Sequence, residues 1–237
     1  MIYILLMIGM LGYACSDDKD NALPTVRPEA KGTWVDTRGE EPVTYHWVRY
    51  GKLDWMCENM KLETAPGTCF PQEITDDILQ QYGYLYDFET AKTLAVDEWR
   101  LPTDEDWKAL EQSLGMAAKE ANAEEWRGDQ VGTLMMQDST GSGLNLGCAG
   151  YYYTTGGSGV RNTGIDGIYW SATLDSQSQG YAWTRMVIYN RSDVRESPGA
   201  GGMAQQAGKD PAAYALQAAC QAGGILEDRP PAAGVPG

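Results

Sequence analysis

Histidine is almost missing from this chain. Its 237 residues include one, His46. That removes most histidine-based acid–base schemes and any multi-histidine metal site. Phenylalanine is scarce at two, against eight Trp and fourteen Tyr. A core can still be built, but from rings that bury a face and show a polar tip. Basic residues are few: 18 Lys and Arg stand against 33 Asp and Glu, a net charge of -15. Such a chain repels phosphate backbones, so a nucleic-acid partner is not expected. Long apolar runs are lacking too. The longest near the start, Ile2 to Met10, is too short to span a bilayer. The Gly-rich stretch over 128–168 has no Lys-Ser/Thr pair after it, so it is no phosphate loop.

The first residues read "MIYILLMIGMLGYACSDDKD". A short apolar run, then Ala14, Cys15 and an acidic patch, resembles a bacterial lipoprotein signal. On that reading 1–14 is the signal peptide, and Cys15 carries lipid at the outer membrane, facing outward. Residues 15–31 are polar and charged and read as a tether. The alternatives are an ordinary secretory signal or a buried strand. Four cysteines remain: Cys57, Cys69, Cys148 and Cys220. Cys57 and Cys69 are near enough in sequence to close a small disulfide loop, with free buried thiols as the alternative.

Alternation and turns mark short strands at Trp34–Asp36, Tyr45–Tyr50 and Leu53–Met56. Residues 62–82 read as a loop. "YGYLYDFETAKTLA" starts as a strand and turns helical, with Leu85, Phe88, Ala91 and Leu94 or Ala95 near one helix face. "WRLPTDEDWKALEQSLG" carries the strongest local signal. Thr103 and Asp106 form a capping-box pattern, Asp104 to Asp106 suit the positive helix end, and Gly115 can end the helix. The cap explains these acids without a metal ion. Turns between short strands are expected over 128–168. The tail, 198–237, is rich in Ala, Gly and Pro and allows at most one short helix, near Ala212 to Gln221; the rest reads as disordered.

"DWMCENM", "YGYLYDFETAK", "WRLPTDEDWKAL", "LGCAGYYY" and "GIYWSAT", in this order, resemble the Fibrobacter succinogenes major paralogous domain over 32–197. The resemblance implies an α+β, C-type-lectin-like fold: two helices packed on short, mostly antiparallel strands with long loops. It makes Trp55, Tyr86, Trp99, Leu101, Pro102, Trp107 and Trp170 structural. Some members resemble variable proteins of diversity-generating retroelements. The stretch from Gly167 to about Arg195 has the Tyr, Ser, Asn, Asp, Thr and Arg content such rewriting favours. One departure stands out: the family's usual closing strand has no counterpart after Val194.

The candidate site lies in "YWSATLDSQSQGYAWTRMVIYN", 169–190. Read as a strand, 181–189 sends Ala182, Thr184, Met186 and Ile188 to a core. Tyr181, Trp183, Arg185, Val187 and Tyr189 face the other way. The second set has the composition of a binding surface. Expected contacts are Tyr169, Asp175, Ser176, Gln177, Ser178, Tyr181, Trp183, Arg185, Tyr189, Asn190, Ser192 and Asp193. The alternative is that both faces are covered and the aromatics pack. The partner is a protein or carbohydrate. No cofactor, metal or catalytic residue is expected, and the Glu-Pro-Asn and Trp-Asn-Asp runs of calcium-dependent sugar sites are absent. A structural adhesin or pilus-type component is a second reading. An oxidase related to formylglycine-generating enzymes, working through its cysteines, is a third.

Overall fold

The computed structural model describes residues 23–64, 69–70, 75–97, 99–153, 159–177, 181–198, 214–217 and 221–223. The signal peptide, Cys15 and the first part of the tether lie outside these residues, as do Ser178 and Cys220.

The architecture is α+β with mostly antiparallel sheets. Strands β1 (Ala30–Asp36), β2 (Val43–Tyr50) and β3 (Leu53–Met56) form a meander. Among the described residues it continues through β14 (Gln221–Gly223) to β6 (Trp99–Arg100), giving the order β1-β2-β3-β14-β6. The larger sheet runs β4 (Cys69–Phe70), β5 (Leu85–Tyr86), β13 (Tyr214–Gln217), β10 (Asp166–Leu174), β11 (Ala182–Ile188), β12 (Val194–Pro198), β7 (Glu125–Arg127). Strands β8 (Tyr151–Tyr153) and β9 (Gly159–Arg161) branch from it. Among the described strands only β10 and β13 pair parallel, at Tyr169 and Gln217.

Five helices are present among the described residues, not two. The helix expected after Tyr86 is α2 (Phe88–Thr93), and the capped one is α3 (Asp104–Ser113). Residues 62–82 are not all loop, because Thr75 caps α1 (Asp76–Tyr82). Helices α4 (Ala118–Ala121) and α5 (Val131–Met136) complete the set. The α3 cap forms as expected: Thr103 Oγ1 accepts from Asp106 N at 3.2 Å, and Asp106 Oδ2 accepts from Thr103 N at 2.7 Å. Burial alone would raise the Asp106 carboxyl, but Arg100 and the Thr103 donors hold it below the usual carboxylate range.

The end of the chain also differs from expectation. Val194 does not end the ordered strands but opens one, β12, which pairs with β11 on one side and β7 on the other. In place of a helix near 212–221, β13 pairs with β10 and β5, and β14 with β3 and β6. Backbone pairing accepts almost any non-proline sequence, so residues with little apolar area can still supply strands to waiting edges.

Two larger apolar clusters fill the interior among the described residues, beside a small third one of Leu85, Ala149 and Tyr152. Trp107 and Leu110 of α3, with its C-cap residue Leu114, pack with Trp55, Tyr169, Val187 and the buried face of α5. Trp107 lies 4.9 Å from Trp55 and 5.9 Å from Tyr169, centroid to centroid. The second cluster gathers Tyr45, Trp47, Tyr86, Trp99, Leu101, Ile168 and Trp170. An indole donor ties these two together, Trp107 Nε1 donating to Trp170 O, and within the second Trp170 Nε1 donates to Tyr86 O. The structural aromatics implied by the resemblance are thus core residues. Strand β10 divides the clusters, with Ile168 and Trp170 on one side and Tyr169 on the other.

Candidate functional site

The alternation expected along 181–189 is present, but its outer face is not open at the strand's middle. Ala182 and Met186 face the second cluster, while Val187 faces the first. Helix α3 covers that side, and Arg185 meets it with only 1% exposure. Tyr169, paired with Arg185 across β10 and β11, is fully buried and donates its hydroxyl to Gly147 O at 2.7 Å. Two expected contact residues, Tyr169 and Arg185, are therefore interior. Alternation says which side a residue takes, not what lies on that side.

Arg185 sits in a buried charge cluster. Its Nε donates to Glu111 Oε1 at 2.6 Å, and its Nη2 to Asp104 Oδ1 at 2.7 Å. Arg127 Nη2 donates to Glu111 Oε2 at 2.8 Å and forms a close ion pair with Glu196. Lys108 reaches Asp104 at 2.7 Å. Burial opposes the Arg185 charge, but Glu111, Glu196 and Asp104 outweigh it and raise its pKa.

The remaining expected contacts fall at the two ends of β11, about 20 Å apart at ~3.3 Å per residue. At the first end, Asp175 is buried and shapes the turn: its N donates to Tyr181 O, and its Oδ1 accepts from Gln177 N. Ser176 and Gln177 are exposed, and Tyr181 and Trp183 are half-buried. At the second end, Tyr189 is 63% exposed, and Asn190 and Ser192 are exposed.

This second turn is held firmly. Arg191 makes a forked pair with Asp193, 2.8 and 2.7 Å, and its guanidinium lies 3.9 Å from the Trp126 ring centroid. The Arg191 bonds hold the Asp193 carboxyl below its usual range. Thr133 N donates to Ser192 O, and a Cβ at Gly132 would overlap the Asp193 carbonyl. Beside the turn lies a shallow depression of about 480 Å³, bounded by Glu120, Asp129 and residues 190–193.

A second concavity was not foreseen. A groove of about 830 Å³ runs between the arm at 27–33, strand β2 and the loop at 138–145. His46 stands in it beside Lys31, Thr33, Val48 and Asn145. Glu58 holds His46 twice, 2.7 Å to Nδ1 and 2.8 Å from the backbone N. The hairpin register, which sets Trp47 against Met56, makes this neighbourhood readable once the β2–β3 turn is placed.

The expected Cys57–Cys69 bridge is not formed, because Cys57 is a free, buried thiol. It packs into the first cluster, whereas Cys69 lies on β4 of the larger sheet. Burial pushes the Cys57 thiol up to about 12, with Glu58 adding to the shift. Burial, with Asp166, pushes Cys148 up to about 11. Both are protonated at neutral pH and poor nucleophiles. No helix among the described residues is long and apolar enough to cross a membrane, and no cluster of three metal-ligating side chains occurs among them.

The model of one protein family, the Fibrobacter succinogenes major domain, matches residues 48–216. The chain belongs to this family. The match begins within β2 and ends within β13, so this Fibrobacter succinogenes major domain takes in most of both core clusters and the whole of β11. No curated protein and no solved structure matches the chain.

Proposed function

We propose that this Fibrobacter succinogenes major domain protein is a surface-exposed outer-membrane lipoprotein that binds a protein or carbohydrate ligand. Its contacts are the two ends of β11: Ser176, Gln177, Tyr181 and Trp183 at one end, and Tyr189, Asn190, Ser192 and Asp193 at the other. The observation that carries this reading is the turn at 189–193. A large aromatic is 63% exposed there, on a backbone fixed by the Trp126–Arg191–Asp193 stack. An ordered turn loses little entropy on binding, and Tyr gives large area per rotatable bond. Lipid on Cys15 anchors the protein, and the fold is read as C-type-lectin-like. The composition of 167–195 supports diversification by a retroelement. The role is binding rather than catalysis.

Arrays of glycans and of purified extracellular proteins test the reading, with wild type beside Tyr189→Ala and Trp183→Ala. A ligand signal lost in either folded variant supports it. Signals unchanged in both remove the proposed contacts. Labelling of cells with a tagged fatty acid tests Cys15, and Cys15→Ser must abolish the label.

A further inference from the structure

The described sheets end in short edge strands, with one exception. Strands β4 and β6 have two residues each, and β7 and β9 have three. Edges this short offer a partner few backbone bonds. Strand β1 is the exception: seven residues, about 23 Å at ~3.3 Å per residue. It pairs with β2 in an unbroken register from Ala30–Arg49 to Asp36–Val43, and no described strand lies on its other side. Alternate residues of such an edge point their N–H and C=O away from the sheet.

Long natural edges carry guards such as Pro, bulges or charges. Strand β1 has no internal Pro and no register shift. Its one solvent-facing charge is Lys31, since Asp36 is buried and bonded to Arg38. Val35 is 49% exposed.

The groove that holds His46 runs along this strand. Residues 27 to 33 line it without a gap, so it follows the main chain rather than one row of side chains. Its volume of about 830 Å³ falls in the range of ligand sites, roughly 300–1,000 Å³. Arg27 Nη1 donates to Gly141 O at 3.0 Å and also bonds Thr140 O, which ties the arm to the loop at 138–145. Carboxylates outnumber cations in the lining. Glu29, Glu58 and Asp138 stand against Lys31 and Arg27, and the Arg27 guanidinium is taken up by loop carbonyls.

We propose that β1 is a docking edge for an extended, lysine- or arginine-bearing segment of a partner protein. That segment adds to the sheet as an outer strand and sets basic side chains in the groove. Main-chain bonds to β1 supply the affinity, and the three carboxylates set the charge it prefers. A second copy of the chain is a poor occupant, because each copy carries a net charge of -15. The stretch just before the arm, "CSDDKDNA" at 15–22, is a poor one too, because Asp and Asn are depleted in strands. This surface is separate from the contacts at the ends of β11, none of which lines the groove.

The test uses the full chain and a synthetic strand, acetyl-Lys-Thr-Val-Lys-Val-Thr-Lys-amide. Binding is read by fluorescence anisotropy, and amide hydrogen exchange of residues 30–36 by NMR. In the free protein alternate amides of β1 are expected to exchange fast, and the peptide is expected to slow them. Two further peptides carry N-methyl groups on one or the other set of alternate amides. The one whose methyls face β1 must bind about tenfold or more weaker, since it loses donors and gains bulk at the edge. A peptide with Glu for each Lys must not bind, and Lys31→Glu must tighten the lysine peptide by about twofold or more. If the lysine peptide does not bind, or leaves the β1 amides unprotected, the docking edge is refuted. Equal binding by both methylated forms and their parent refutes it as well, since that is adsorption to an acidic surface. If all amides of 30–36 are already protected in the free chain, the edge is covered. Sedimentation then separates a second copy from the chain's own N-terminal segment, and either occupant overturns the assignment to a partner.

Discussion

Replacing Arg185 by Met separates an interior Arg185 from an exposed one. Met keeps the length and apolar bulk and removes the charge. The wild-type guanidinium is 1% exposed and bonded to Glu111 and Asp104 at 2.6 and 2.7 Å. Its loss leaves Glu111 with Arg127 alone, and Asp104 with Lys108. Removing one partner of a buried ion pair costs about 3–5 kcal/mol, because the other charge stays buried without compensation. With a urea slope of roughly 2 kcal/mol per M, that lowers the unfolding midpoint by about 2 M. The assay is urea unfolding followed by Trp fluorescence, at pH 6 and low salt. The double variant Arg185→Met with Glu111→Leu removes the stranded charge and is expected to recover part of the loss. A loss below about 1 kcal/mol is what an exposed arginine gives. That result would return Arg185 to an open binding face and refute the covered-face account.

The remaining predictions follow from caps, thiols and protons. Thr103→Ala removes the acceptor for Asp106 N and a donor to Asp106 Oδ2, and is expected to cost about 1 kcal/mol in thermal or urea unfolding. Cys57 is expected to resist alkylation in the native protein at pH 8 and to react once unfolded, since burial pushes its thiol up to about 12; mass spectrometry reads the label. Stability is expected to fall as pH rises from 5 to 8. The Glu196 pKa is raised in the folded state, from 4.5 to about 7. Its contribution is full below 4.5 and lost as pH rises through 7, at most about 3 kcal/mol. Glu196→Gln must flatten that profile in thermal unfolding across the same range.

Much of the fold is legible in the sequence because local chemistry and tertiary structure agree. The Thr103–Asp106 cap, the hairpin strands around Gly51 and the core aromatics follow from spacing and type. Helix α5 escapes such a reading because it lacks a start signal: Gln130 precedes it in a left-handed conformation and supplies no side-chain cap. The strands β13 and β14 escape it because their pairing is backbone chemistry, to which an Ala-rich sequence gives no clue. The centre of the site departs from expectation for a definite reason. On α3 the apolar stripe of Trp107, Leu110 and Leu114 carries Asp104, Lys108 and Glu111 at 3–4 spacing beside it. Carboxylates buried beside an apolar stripe need a cation from elsewhere in the chain. Arg185 supplies it to both Asp104 and Glu111, and Arg127 to Glu111 as well.

The covered centre of β11 sets what a diversified surface can be here. Substitution at Tyr169, Trp170 or Arg185 opens a cavity or strands a charge, each costing several kcal/mol. A domain with about 5–15 kcal/mol of total stability tolerates few such changes. Ser176, Gln177, Tyr189, Asn190 and Ser192 are exposed, and their side chains can change with little cost to the fold. Sequencing this locus across many cells of one strain distinguishes the cases. Variation confined to the exposed ends of β11, sparing Tyr169, Trp170 and Arg185, is the pattern of a diversified binding surface on a fixed frame. Variation spread evenly through 167–195 contradicts the buried cluster, since most such products would not fold. A locus identical in every cell refutes diversification and leaves only the exposure of the turn at 189–193 in support of the proposed contacts.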